Sequence, residues 1–203
     1  MPFDAQVLKV MIASPGDVLA ERDMIRGVLD QWNSVNAELR KQVLFAVGSN
    51  SPAATQSAEA PRPFLNREVL KCCDLLIAVF WTRIGSPVSA SANASVSTSM
   101  TETLDAIEAH TRQGKPALLY FSSAVARPDT VDPEQCAALG EFKEACRKTG
   151  LVEEFDTPHQ FHKKLSLQLS QTISGSFPVS DTADNRIADP AVDWWSESTA
   201  ASD

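Results

Sequence analysis

The sequence predicts an α/β domain: an open sheet of five parallel strands in the order 2-1-3-4-5, with helices on both faces. Three observations carry this. Apolar runs alternate with amphipathic helical stretches five times along the chain, the pattern of a parallel sheet joined by right-handed helical crossovers. The run Asp74-Leu-Leu-Ile-Ala-Val-Phe-Trp81 has no polar alternation, which suits a central strand covered on both faces. Finally, the apolar residues Val7, Leu8, Val10, Met11 and Ile12 break at Ser14-Pro15-Gly16-Asp17 directly into a helical pattern. A strand that empties through a small polar loop into a helix makes a seat for phosphate or a nucleotide, because the first helical amides are unpaired and that end of the dipole is positive.

The elements follow in order. After the first strand, Asp17 suits the N-cap of a helix whose residues Val18, Ile25, Val28, Leu29, Trp32 and Val35 form one apolar face. Val43 to Val47 reads as the second strand, ended by Gly48. Ser49 to Pro63 is rich in Ser, Ala and Pro and reads as a mobile loop leading to a helix over Phe64 to Cys73. The third strand stops at Thr82-Arg83-Ile84-Gly85-Ser86-Pro87. Val88 to Ser99 reads as a disordered or lid-like loop, and the next helix as Thr101 to Gln113, closed by Gly114 and Pro116. Ala117 to Phe121 is the fourth strand, Pro133 to Lys148 a helix, Leu151 to Phe155 a short edge strand, and Pro158 to Ile173 a last helix opened by Asp156 or Thr157.

The organisation is then one domain over residues 1–173 and an acidic tail over 174–203, expected to be disordered. The tail sets six carboxylates (Asp181, Asp184, Asp189, Asp193, Glu197, Asp203) against Arg186 and has one hydrophobic anchor, Trp194-Trp195. That pair reads either as a docking peptide or as incidental to a linker. A net charge of −8 argues against a nonspecific nucleic-acid binder. The lack of a 20-residue apolar span or a signal-peptide core leads us to expect a cytoplasmic protein without a membrane partner. Cys72, Cys73, Cys136 and Cys146 lack metal-ligand spacing, so no metal site is expected and the thiols should be reduced.

In a 2-1-3-4-5 sheet, ligands bind outside the carboxyl ends of the first and third strands, where the strand order reverses. Those exits are Ser14 to Asp17 and Trp81 to Gly85. Walker, dinucleotide-fingerprint and nucleophile-elbow patterns are absent from the sequence. His110, His159 and His162 fall on or near helices away from the exits, and His110, near a helix C-terminus where a cation is favourable, reads as a capping residue rather than a catalytic one. Carboxylates remain as the chemical candidates: Asp17, Glu102 and Asp105. A carboxylate in the pocket would hold a ribose hydroxyl or stabilise an oxocarbenium-like centre; in the first turn of a helix it would merely complement the dipole.

These residues resemble a known family. Ile12-Ala-Ser-Pro-Gly-Asp-Val18 followed by Glu21-Arg22, then Cys73 to Pro87, then Gly114-Lys-Pro-Ala-Leu-Leu-Tyr-Phe-Ser122 are similar, in that order, to a prokaryotic branch of the TIR-like superfamily, related in fold to the nucleoside 2-deoxyribosyltransferases. The likeness covers about Val7 to Leu169. It implies a flavodoxin-like domain that binds NAD or a related nucleotide, in bacterial defence or signalling. Active members cleave the nicotinamide N-glycosidic bond, with NAD as substrate or ligand and no further cofactor required. By position, Ser14, Gly16 and Asp17 would line the seat, Trp81 and Arg83 its opposite wall, and Arg62 its rim.

One departure matters. The family's Ser-Gly-Thr-x-x-Glu-Ile pattern, counted back from Gly114-Lys115-Pro116, falls on Thr103-Leu104-Asp105-Ala106-Ile107, so its catalytic Glu position holds Ala106. Glu102, one helical turn earlier on the same face, is the best substitute acid. Asp105 lies about 100° away around the helix. The resemblance therefore leaves three expectations open: a nucleotide-binding glycohydrolase, an inactive interaction or homo-oligomeric assembly module coupled to a fused or docked effector or sensor domain, and a nucleoside deoxyribosyltransferase-like enzyme.

Overall fold

In the computed structural model, which describes residues 2–47, 65, 67–84, 96–126, 131–148 and 152–179 (backbone only at 96–99), strands and helices alternate throughout. They are β1 (Gln6–Ala13), α1 (Leu19–Arg40), β2 (Gln42–Val47), α2 (Arg67–Lys71), β3 (Leu75–Phe80), α3 (Val96–Arg112), β4 (Ala117–Ser122), α4 (Pro133–Arg147), β5 (Val152–Phe155) and α5 (Pro158–Ser176). The sheet order is β2-β1-β3-β4-β5 with every pair parallel, as the apolar runs require. Each residue of β3 from Leu75 to Phe80 is 0% exposed. Its side chains divide by the two-residue period of a strand. Leu75, Ile77 and Val79 join Leu8, Val10, Ile12 and Tyr120 under α1 and α5, while Leu76, Ala78 and Phe80 join Met11, Ala13 and Phe121 on the other face.

Several boundaries depart from the sequence reading. Helix α1 has Val18, not Asp17, at its N-cap, with no side-chain cap; the Asp17 carboxylate is engaged across the sheet instead. Helix α3 starts at Val96, so the last four residues of the stretch read as a loop are helical. Ser and Thr are tolerated in a first turn, whose amides have no helical partners to lose. Helix α2 ends at Lys71, two residues before the expected Cys73, in a turn in which the Cys72 and Cys73 amides donate to the Val69 and Leu70 carbonyls; Phe64 and Asn66, at its expected start, lie outside the described residues. Asp132 caps α4 through the Glu134 and Gln135 amides, and Thr157 caps α5 through that of Gln160, each with Pro following. Helix α5 continues to Ser176, three residues beyond Ile173, and the Phe177 carbonyl accepts from Gln42 Nε2 at 3.1 Å and Arg40 Nη2 at 3.4 Å. The rest of the tail, with Trp194 and Trp195, lies outside the described residues, as does Arg62.

Two side chains fasten strands directly. Asp74 Oδ2 accepts from the Lys9 amide at 2.8 Å while the Asp74 amide donates to the Lys9 carbonyl at 2.8 Å, tying the entry of β3 to β1. On edge strand β2, Asn33 of α1 donates to the Leu44 carbonyl (2.9 Å) and accepts from the Leu44 amide (2.8 Å). Both polar groups of Leu44 that a further strand would pair with are thereby occupied.

Candidate site at the exits of β1 and β3

The register that sets Ala13 beside Ala78 brings the β1–α1 loop against the residues after β3. Asp17 makes the junction. Its Oδ2 accepts from the Thr82 amide at 3.0 Å and from Thr82 Oγ1 at 2.8 Å, and Arg83 Nε stands 3.8 Å away. The Asp17 side chain is 9% exposed and that of Arg83 46%. Oδ1 of the same carboxylate is shielded from solvent and has no hydrogen-bond partner among the described residues. A desolvated carboxylate oxygen is costly without a donor, so this is an acceptor with capacity left.

Ser14 is held from the other side. Arg22, on the second turn of α1, points back toward the helix start as helical side chains do, donating from Nε to Ser14 Oγ at 2.6 Å and from Nη2 to the Ser14 carbonyl at 2.9 Å. Burial, with Arg26 nearby, pulls the Arg22 guanidinium below its usual range. Among the described residues no carboxylate lies within ion-pair distance of it, and Asp23 offsets its charge only from further away, so it brings positive charge to the loop. Since Ser14 Oγ accepts from Arg22, its own proton is free to be donated outward. Gly16 is exposed, and a Cβ built there would meet nothing within 4 Å.

Trp81 is half-buried against the core under α1 and α5, and its Nε1 donates to the Ala124 carbonyl at 2.9 Å. Its indole edge is thus committed to the loop after β4. Ser14, Asp17, Thr82 and Arg83 form one neighbourhood. Glu102 is half-buried on α3, and its carbonyl accepts from Arg67 Nη2 at 2.7 Å. Ala106, 7% exposed, belongs to the core packed on the sheet. Asp105 is exposed and, with Ala106, lines a groove of about 260 Å³ between α2 and α3 whose walls also include Arg67, Lys71 and His110. Ser14, Asp17 and Arg83 are not in that lining.

His110, in the last turn of α3, is 2% exposed; its Nε2 donates to the Pro116 carbonyl at 3.2 Å, and burial lowers its pKa, which favours the neutral ring over the cation. Burial likewise pushes the Cys73 thiol up to about 11 and Cys146 to about 12, whereas Cys72 and Cys136 are exposed. Among the described residues no cluster of His, Cys, Asp and Glu is arranged to hold a metal ion, and no helix is long and apolar enough to cross a membrane.

Sequence reasoning singled out Asp17 but not its partner. Thr82 is the first polar residue after the apolar run of β3, and that position opposite the β1 exit was the available signal. Arg22 stood inside the Glu21-Arg22 motif without a role.

No curated protein matches the chain. Among solved structures it is similar to a family two carbohydrate esterase from Clostridium thermocellum in complex with cellohexaose, at 11% identity and a TM-score of 0.36 over 85% of this chain. It is also similar to a family two carbohydrate esterase from Cellvibrio japonicus, at 13% identity and a TM-score of 0.31, again over 85% of this chain. The chain spans 65% and 63% of those two chains. Residues 9–170, from within β1 to within α5, match the family described as a domain of unknown function (DUF4062), and the chain belongs to that family.

Proposed function

We propose that this domain binds NAD or a related nucleotide at the exits of β1 and β3, as a bacterial defence or signalling module. The observation that carries the reading is the Asp17 carboxylate. It sits at the switch point of the sheet, where ligands of open α/β folds bind, with one oxygen bonded to Thr82 and the other desolvated and without a partner among the described residues. A sugar hydroxyl is the type of donor that completes such an acceptor. Arg83, the Ser14 hydroxyl and the first amides of α1 supply the opposite polarity, suited to phosphate.

Hydrolysis needs a carboxylate near the ribose to stabilise developing positive charge. The resemblance leaves Glu102 as the substitute acid for that role, and its described contact is the bond from Arg67 of α2 to its carbonyl. A second reading, a sensing or assembly module without turnover, is favoured by one observation: Ala106, where the TIR-like resemblance would put its catalytic Glu, is packed into the core.

The test is calorimetric titration with NAD together with chromatographic measurement of free nicotinamide. Gly16→Ala is a suitable probe because its Cβ meets nothing in the fold; weakened binding in a folded variant then reports a ligand at the loop. Nicotinamide release abolished by Glu102→Gln, with binding kept, identifies Glu102 as the acid. Binding without release, with release gained in Ala106→Glu, supports the module reading. Each tenfold in rate corresponds to about 1.4 kcal/mol of transition-state stabilisation. Neither binding nor release by folded protein would end the nucleotide proposal.

A further inference from the structure

On α1, Val28, Trp32, Val35 and Leu39 recur at intervals of three and four and so share one helix face. Their exposures are 3%, 7%, 70% and 82%. The stripe starts under α5 and ends uncovered. Where it leaves α5 there is a groove of about 170 Å³, lined on one side by Val28, Trp32 and Val35 with the polar Gln31 and Asn36, and on the other by Ser166, Leu169 and Ser170. Its polar atoms are underused. Ser166 Oγ is buried without a partner among the described residues, and Ser170 Oγ donates to the Ser166 carbonyl at 3.0 Å, which leaves its own lone pairs open.

We propose that this groove and the adjoining stripe are the docking site of the chain's own Trp194-Trp195 pair. The described chain leaves the fold beside the stripe: the Phe177 carbonyl is held by Arg40, next to Leu39, and by Gln42, and Val179 follows, 45% exposed. Trp194 is fifteen residues further on, a reach of up to about 50 Å. The stripe from Leu39 back to Val28 is only about 17 Å long at the helical rise, so the tether spans all of it. The groove is the size of an aromatic side chain, not of a helix, and Trp194 and Trp195 are the aromatic residues of the segment after Val179, which otherwise offers Ile187 and Val192 as its larger apolar side chains. A buried indole N–H requires an acceptor, which the exposed Ser170 hydroxyl supplies. The segment between Val179 and Trp194 carries Asp181, Asp184, Asp189 and Asp193, opposite in charge to Arg40 and Lys41 at the exit, and tethering gives even weak docking a millimolar effective concentration.

The test uses the full chain and its Trp194→Ala/Trp195→Ala variant, compared by methyl and indole NMR spectra. The expected result is a change at the Val35, Leu39 and Leu169 methyls that is the same in samples differing about tenfold in concentration. Leu39→Glu should reciprocally move the Trp194 and Trp195 indole resonances, while the unaltered amide spectrum of the sheet shows the domain intact. No change at those methyls overturns the proposal. So does a change that fades on dilution with a dimer seen by light scattering, which would assign the groove to a second copy of the chain.

Discussion

Asp17 combines two demands that a single residue can meet only in this topology. It stitches the β1–α1 loop to the end of β3 through Thr82, and it retains an acceptor at the switch point. Replacing it with Ala leaves the Thr82 amide without its partner, so urea unfolding should report a loss of about 1–3 kcal/mol. Asp17→Asn keeps an acceptor for Thr82 but no charge for Arg83, and should lose less. His110 makes a pH prediction of definite sign. Because its folded pKa is lowered, the unfolded chain takes up a proton below about pH 6.5 that the folded chain resists, and stability must fall as pH drops through that value. Urea midpoints measured from about pH 7.5 to 5 should show the decline, and His110→Gln should flatten it. The thiols divide by burial: Cys72 and Cys136 should react with a maleimide at once, Cys73 and Cys146 only on unfolding.

At the scale of elements, each edge of the sheet has its own protection. On β5, Glu154 pairs with Lys143 at 2.7 Å and with Arg147, and these cations hold its carboxyl below the usual range; Lys164 pairs with Glu153 at 3.0 Å. Charged side chains along an edge discourage pairing with another chain. On β2 the device is Asn33. In Asn33→Ala the Leu44 amide and carbonyl lose their partners, a cost of about 1–3 kcal/mol. Hydrogen exchange at the Leu44 amide should speed up, and light scattering should detect association that grows with concentration. The helix starts show which local signals suffice. Asp132-Pro133 and Thr157-Pro158 open helices as their side chains dictate, because a cap acts within three residues. Asp17 has the same cap chemistry in sequence, yet Thr82 captures it.

For the whole molecule, stability is concentrated where β3 is enclosed. Phe80 stacks on Phe121 at 5.0 Å between centroids and meets Phe142 at 5.1 Å, linking β3, β4 and α4. Phe80→Ala removes a ring with no exposure and should cost about 3–5 kcal/mol, lowering the melting temperature by roughly 6–20 °C. Val125→Ser, at a side chain 97% exposed, should change stability by less than about 0.5 kcal/mol; calorimetry on the two variants checks the contrast.

The alternation of strand and helix, the parallel order and the burial of β3 were legible in the residues, because hydrophobic period and capping chemistry act over a few positions and the connection rules leave few topologies. The two strand exits were legible for the same reason. What the tertiary structure decided is which atoms meet there. Asp17 and Thr82 are 65 residues apart, Asn33 and Leu44 eleven, and nothing local distinguishes a carboxylate that will cap its own helix from one that will be taken by the neighbouring strand. The neutral state of His110 and the burial of Ala106 belong to the same class. Each depends on the desolvation and partners that arise only when distant segments pack, and pairing energies of that kind leave no periodicity in the chain.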